Sequence, residues 1–249
     1  MNRVAAIIVN YNMPERAGEL AEHLNNLIHW PHDLILVDNG SDIVPPSKHT
    51  TLRLAENVQT TAGWLMGLHY ADQLARKRAE PYFAYWFIIT STEFVDDEDQ
   101  LTPMVSFLLR EEEAVGIHPA LTEDSTTMWE HLKAQGGHSP RRTWMIDNIA
   151  SLYRADWFDA IGRFDPRLFM AHGIDLETCW KARKEGRSLW VHEGATVKKV
   201  TNVGYDMGRM NMDARERAVL AQASMNTVLG ERYGPDYWQR LTEEYPVGD

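Results

Sequence analysis

The chain has 249 residues, 44% of them hydrophobic and 10% aromatic, with one cysteine, Cys179, and a formal net charge of −11. This composition excludes a disordered chain, a disulfide-stapled or thiolate-zinc domain and a nucleic-acid scaffold held by phosphate neutralisation, while leaving room for a local basic pocket for a phosphorylated small molecule. The longest apolar runs, residues 4–9 and 82–89, are too short to span a bilayer. Polar Asn10-Tyr11-Asn12 follows the first of them, so no signal peptide is expected. The reading is a compact cytoplasmic protein, with a peripheral place at the inner membrane face as the other setting.

VAAIIV (residues 4–9) is continuous, apolar and β-branched, the pattern of a buried parallel strand. Asn12 is placed to cap a helix with Pro14 and Glu15 in its first turn, and Leu20, Leu24, Leu27 and Ile28 recur at helical spacing. LILVD (34–38) is the next strand, stopped by Asn39-Gly40-Ser41. A helix carrying Leu65, Leu68, Ala71 and Leu74 follows, then the strand WFIIT (86–90), a helix marked by Leu101, Val105, Leu108 and Leu109, and the short strand AVGIH (114–118). Repeated strand–helix units predict a parallel sheet with helices on both faces.

Beyond Pro119 the pattern loosens. Residues 121–142 are polar and punctuated by Gly and Pro, which predicts a mobile loop closing over a ligand. Residues 147–165 return to a strand and a short helix. Residues 175–185 form a helix closed by Gly186, LWVHEGATVKKV (189–200) reads as a hairpin, and a long helix spans 213–231. The division expected is a single α/β unit over 1–205, with halves 1–119 and 120–205, and a helical C-terminal extension over 206–249.

In an open parallel sheet, ligands bind beyond the carboxyl ends of the strands. Three predicted strands end there in polar residues: Asn10-Tyr11-Asn12, Asp38-Asn39-Gly40-Ser41 and Ser91-Thr92-Glu93. Asp38 can accept hydrogen bonds from a base N–H or a ribose hydroxyl, and Tyr11 offers a face for stacking. One such end alone suits an Asx turn equally well; three together indicate a nucleotide pocket. The first turn, residues 9–15, contains no glycine, so the dinucleotide fingerprint is absent, as are a phosphate loop, a Gly-x-Ser-x-Gly elbow and a His-Glu-x-x-His pair.

Four blocks carry a resemblance. VAAIIVNYN with LILVDNGSD resembles the opening of family-two glycosyltransferases of the GT-A fold. ENVQTTAGWLMGLHYA (56–71) is similar to their Asn- and Gly-rich segment, with Asn57, Gly63 and Gly67 in place but Gln59, Thr60 and Leu65 where Gly, Phe and Asn are usual. FIITSTEFVDDEDQL (87–101) occupies the strand that ends in an acid-x-acid or Asn-Pro-Asp motif. Residues 159–186 are similar to the late block Gly-x-Phe-Asp…Phe-Met…Glu-Asp-x-Asp-Leu…Arg…Gly.

The resemblance implies an α/β, Rossmann-like GT-A sheet, mixed but mainly parallel, flanked by helices. It implies an inverting transferase that moves a sugar from a nucleotide-sugar donor to a hydroxyl of a glycan, a lipid-linked or another acceptor. The donor would lie on Val9, Asn10, Tyr11, Asp38, Asn39, Gly63, Ser91, Thr92, Glu93 and Lys199. Asp175 would be the general base, a useful device for so poor a nucleophile as a sugar hydroxyl, with Ile174 and Leu176 burying its flank; locally, a helix N-cap is the other role open to it. Asn148, Ser151 and Glu177 would stand on the acceptor side.

The sequence departs from the family at the metal. Ser-Thr-Glu replaces acid-x-acid, leaving Glu93 the one anionic ligand there; Ile174 replaces a Glu, and Lys199, or Lys198 if the register slips by one, replaces the late metal-binding His. Two readings follow. Glu93 holds Mg²⁺ or Mn²⁺ together with phosphates and waters, or Lys199 meets the diphosphate directly, with Glu93 on a donor hydroxyl or on Lys199. The acids at 96–99 read as a solvated helix N-terminus, His172 and His192 as loop histidines, Arg141-Arg142 as a solvated pair, the tryptophans at 129, 144, 157, 180 and 190 as packing, and Cys179 as core. A second class is a transferase-like binding module without turnover, acting with a partner enzyme. A nucleotidyltransferase is a third, and would want a basic glycine-rich loop after the first strand.

Overall fold

The computed structural model describes residues 2–95, 97–201 and 203–246. Strand β1 (Val4–Asn10) lies between β2 (His32–Asp38) and β4 (Ala84–Ile89), parallel to both, with β3 (Leu52–Arg53) outside β2. Helices α1 (Pro14–Leu27) and α2 (Gln59–Arg78) make the crossovers. Beyond β4 the sheet turns mixed. β8 (Leu152–Arg154) runs antiparallel to β4 and to β6 (Ala114–Leu121), and β9 (Ser188–Lys199) is parallel to β6. β5 (Thr92–Phe94) and β7 (Arg141–Thr143) are antiparallel to β9. The nine strands form one sheet in the order β3-β2-β1-β4-β8-β6-β9-β5, with β7 beside β9.

Strand alternation divides the core between two faces. Val4, Ala6 and Ile8 of β1 pack with Leu20 and Leu24 of α1 and with Leu101 and Leu108 of α3 (Leu101–Arg110). Ala5 and Ile7 pack on the other face with Trp64 and Leu68 of α2, Phe158 of α4 (Ala155–Ala160) and Leu176 of α5 (Ile174–Lys184). Each fully buried Leu or Ile contributes about 2 kcal/mol. Gly67 is required for the second layer: a Cβ there would stand 2.5 Å from Ile7 Cγ2.

The C-terminal residues share this core. Short α6 (Val203–Asp206) leads to α7 (Ala214–Tyr233) and α8 (Tyr237–Glu243). Met225, Val228, Leu229, Tyr237 and Leu241 join the cluster that holds Trp64 and Leu176. Arg183 of α5 donates to the carbonyls of Leu241, Thr242 and Glu244. Among the described residues no helix is long and apolar enough to cross a membrane.

Several local expectations change. Residues 189–200 are one strand, not a hairpin: Glu193-Gly194 falls where the pairing of β9 with β6 slips from Pro119↔His192 to Ala120↔Thr196, and the extra residues bulge. The bulge turns the Glu193 carboxylate to Arg141 (2.5 Å) and to the Gln135 N–H (2.8 Å), so Arg141 is paired rather than solvated. Those bonds tether part of the polar segment 121–142, which also contains a 3-10 turn, Glu130–Leu132, and β7. Asn12 does not cap α1; it adopts φ 56° and its Oδ1 accepts from the N–H groups of Asp42 and Ile43. Asp99 caps α3 through the Leu101 and Thr102 N–H groups, while Asp96 of the same acid cluster lies outside the described residues.

Candidate active site

A cleft of about 530 Å³ opens at the carboxyl ends of β1 and β4, where an open α/β sheet places its ligands. Val9 and Tyr11 from β1, Asn39 from β2, Ser91 after β4, Asn148 and Asp175 from the second half, and Lys199 at the end of β9 all line it. The start of α2 adds Asn57, Gln59 and Thr60, and the C-terminal segment adds Tyr205, Met210, Arg217, Met225 and Trp238.

The nucleotide side differs from expectation at Asp38. This carboxylate is fully buried and accepts from Ser41 Oγ (2.5 Å), the Ser41 N–H and Asn10 Nδ2 (both 3.3 Å), with Arg53 Nε at 3.4 Å. Its capacity is used by the turn, and neither it nor Asn10 is among the cleft residues. The polar wall is instead Asn39, whose Nδ2 donates to Asn57 Oδ1 (3.1 Å) and whose Oδ1 accepts from the Val58 N–H (3.0 Å), together with Tyr11, whose hydroxyl meets Asp42 and Asn211. Gly63 stands behind that wall. A Cβ there would lie 2.9 Å from Val9 Cγ1, so its part is close packing.

At the end of β4, Thr90 and Ser91 line the cleft, while Thr92 and Glu93 do not. Thr92 Oγ1 donates to the Ile149 carbonyl (3.0 Å). Glu93 pairs with Arg16 of α1 at 3.1 Å. The cause is the pleat: Thr92 stands opposite Lys199 and Glu93 opposite Lys198, so consecutive side chains leave on opposite faces. Glu93 therefore reaches neither the cleft nor Lys199, contrary to both sequence-based roles for it. Lys198 turns to Asp124, and Lys199 enters the cleft with Nζ 3.8 Å from Asp147 Oδ2.

Asp175 sits in the first turn of α5 without capping it. The N-cap is Gly173 at φ 85°, and the carboxylate accepts from the adjacent Leu176 N–H (2.8 Å) and its own backbone N–H. Ile174 and Leu176 are buried on either side. Burial first, and the Asp147 charge second, push the Asp175 carboxyl up from 3.8 to about 7, against the pull of the Leu176 N–H and Lys199. Burial likewise raises Asp147, with Lys199 opposing. The sequence reading missed Asp147. The available signal was an acid immediately before Asn148 in a segment without periodicity.

Asn148 lines the cleft, its Oδ1 taken by Ser151 Oγ (2.7 Å) and its Nδ2 buried without a partner. Ser151 thus orients Asn148 and is not itself a cleft residue. Glu177, two positions after Asp175, projects from another side of α5 and is only 2% exposed. It accepts from Arg232 and from the Tyr233 hydroxyl (2.8 Å), clamping α7 to α5 rather than meeting an acceptor. Cys179 is buried, with its thiol pushed up to about 12 by burial first. His172 does line the cleft, its pKa lowered by burial and by the charges of Arg217 and Lys199.

Among the described residues no group of three or more His, Cys, Asp or Glu side chains converges to hold a metal. The cleft's carboxylates are Asp147 and Asp175, with an ammonium beside the first. At the end of β4, where the family would place its ion, a hydroxyl and Lys199 stand in place of acids. The anionic protein ligands open to a divalent cation in the cleft are Asp147 and Asp175, so phosphates and waters would have to complete its shell.

No protein-family model matches the chain, and no curated protein matches its sequence. Solved structures do match. One is a crystal structure of GalNAc-T7 with UDP, GalNAc and Mn²⁺, which superposes over 100% of this chain with a TM-score of 0.63 at 11% identity. This chain spans about half, 52%, of that one. At such an identity the likeness establishes architecture alone: the nine-stranded sheet with its flanking helices is a GT-A glycosyltransferase fold.

Proposed function

We propose that this protein is a nucleotide-sugar-dependent glycosyltransferase that works by direct displacement, and therefore with inversion. The observation that carries the reading is Asp175: a carboxyl whose pKa is raised to about 7 by burial and by Asp147, one residue inside the helix rather than at its N-cap, in a cleft at the strand ends of a GT-A fold. The acceptor hydroxyl attacks the anomeric carbon, the bond from that carbon to the diphosphate oxygen breaks, and the hydroxyl proton passes to Asp175. A base near the working pH suits that transfer. Tyr11, Asn39 and Asn57 flank the nucleotide, and Asn148 stands on the acceptor side.

The leaving diphosphate gains charge as the bond breaks and needs a preorganised countercharge. Lys199 supplies it, at the position where the family holds a metal. The C-terminal segment belongs to the same working unit, because Met210, Arg217, Gln222, Met225 and Trp238 wall the cleft. The UDP and Mn²⁺ bound by GalNAc-T7 support the donor class but leave the nucleotide and the metal to be tested here. A cytoplasmic setting is part of the same proposal.

A binding module without turnover is the competing reading, favoured by the withdrawal of Asp38 and Glu93 from the cleft. One experiment separates them. The full chain is incubated with a panel of nucleotide sugars and free nucleotide is measured, with Asp175→Asn as control. Release that depends on Asp175 supports the transferase; donor binding without release in either protein supports the module.

A further inference from the structure

We infer that the donor's diphosphate is gripped by two cationic arms, Lys199 from β9 and Arg217 from the C-terminal helix α7, with His172 beside them. This rests on the proposed donor site and adds its second arm.

Arg217 lies in the first turn of α7, and its side chain lines the cleft with Lys199 and His172. The chain has 36 acidic and 25 basic residues, and its other arginines removed from water have their guanidinium groups taken: Arg16 by Glu93, Arg141 by Glu193, Arg163 by Asp72 and Arg209 by Glu15, Arg154 and Arg183 by several backbone carbonyls each. Arg217 is also half-buried, yet among the described residues it makes no ion pair; its one side-chain bond runs from Nη2 to Thr60 Oγ1 at 3.4 Å. A guanidinium partly withdrawn from water ordinarily has its donors met by carboxylates or carbonyls, and Arg217 has a single long bond to a hydroxyl. Its planar fork matches two oxygens of a phosphate, whereas a lysine acts as a point charge.

The arm is fixed in place before any ligand arrives. Ahead of α7, Arg209 pairs with Glu15 (2.6 Å), its carbonyl accepts from Asn12 Nδ2 (3.2 Å), and Asn211 Nδ2 donates to Asp42 (3.0 Å). Asp213 then caps the helix through the Glu216 N–H (2.8 Å). These bonds pin the first turn of α7 against the nucleotide half. The C-terminal helix thereby supplies a second cation beside the one at the end of β9.

The test is calorimetric titration of the full chain, in EDTA, with UDP, GDP, ADP and CDP, with inorganic pyrophosphate and with the matching nucleosides. Arg217→Ala, Arg217→Lys and Lys199→Ala are compared after a thermal melt shows each folded. The expected result is metal-free binding of one nucleoside diphosphate. Arg217→Ala weakens it and pyrophosphate by about tenfold or more, the worth of a charged hydrogen bond, Arg217→Lys retains part, and nucleoside binding is unchanged. Equal diphosphate affinity in wild type and Arg217→Ala overturns the second arm and leaves the donor site standing. Binding that requires Mn²⁺ overturns the two-armed clamp. Absence of any nucleotide binding, with or without Mn²⁺, overturns both the donor site and the clamp.

Discussion

Replacing Asp147 by Asn keeps the shape of the cleft wall and deletes one charge, so it isolates what that charge does to Asp175. The Asp175 carboxyl is raised from 3.8 to about 7, about 3 units, or roughly 4 kcal/mol between its two protonation states. Burial is the larger cause and Asp147 the next. The burial part survives in Asp147→Asn, so the midpoint should fall by about one unit and stay well above 3.8. Lys199→Ala should move it the other way, since Lys199 favours the ionised form.

Linkage fixes a second sign. A carboxyl whose folded pKa lies above its unfolded value is protonated more readily in the native state, so its full contribution to stability is present below about pH 4 and is lost as pH rises towards 7. Asp175→Asn should flatten stability across that window. The assay is NMR titration of ¹³C-aspartate-labelled protein, with Asp175→Asn to assign the resonance and thermal melts between pH 4 and 8 for the slope. A midpoint in Asp147→Asn equal to or above that of the wild type would refute the coupling.

Asp175→Asn should lower turnover by ~10²–10⁴-fold, the usual worth of a positioned base, with donor affinity nearly kept; normal turnover in a nucleotide-release assay would remove Asp175 from the chemistry. Asp38→Ala should cost about 1–3 kcal/mol by orphaning Ser41 and Asn10, read as the denaturant midpoint, while the variant that remains folded still binds nucleotide. Arg232→Ala leaves the buried Glu177 with the Tyr233 hydroxyl and Lys181 and should cost about 1–3 kcal/mol, with proteolytic nicking ahead of α7 as the local sign; an unchanged melt would contradict the clamp. Lys199→Ala should weaken donor binding more than EDTA does, and a donor affinity that vanishes on chelation while ignoring Lys199→Ala would restore the metal.

The parallel half of the sheet was legible in the residues because a strand buried on both faces is a local pattern. VAAIIV, LILVD and WFIIT need only their own composition and the polar residues that stop them, and those stops marked where the cleft would open. Asp175 has no such local pattern; it is singled out by the resemblance of residues 159–186 to a family block.

What a side chain does at a strand end depends on the pleat, and the pleat is set by pairing with a distant strand. Thr92 and Glu93 are neighbours in sequence, but the register with Lys199 and Lys198 sends them to opposite faces, and no local pattern announces that register. Asp38 could serve a ligand or its own turn, and only the positions of Ser41, Asn10 and Arg53 decided for the turn. Glu193-Gly194 reads as a turn because the pair suits turns; the β6 partner made it a bulge. Asp147 and Arg217 carry no periodic signal at all. They reach the cleft through packing between segments 28 or more residues from Asp175 and from one another, because side-chain convergence is a property of the folded core, whereas hydrophobic periodicity belongs to the chain.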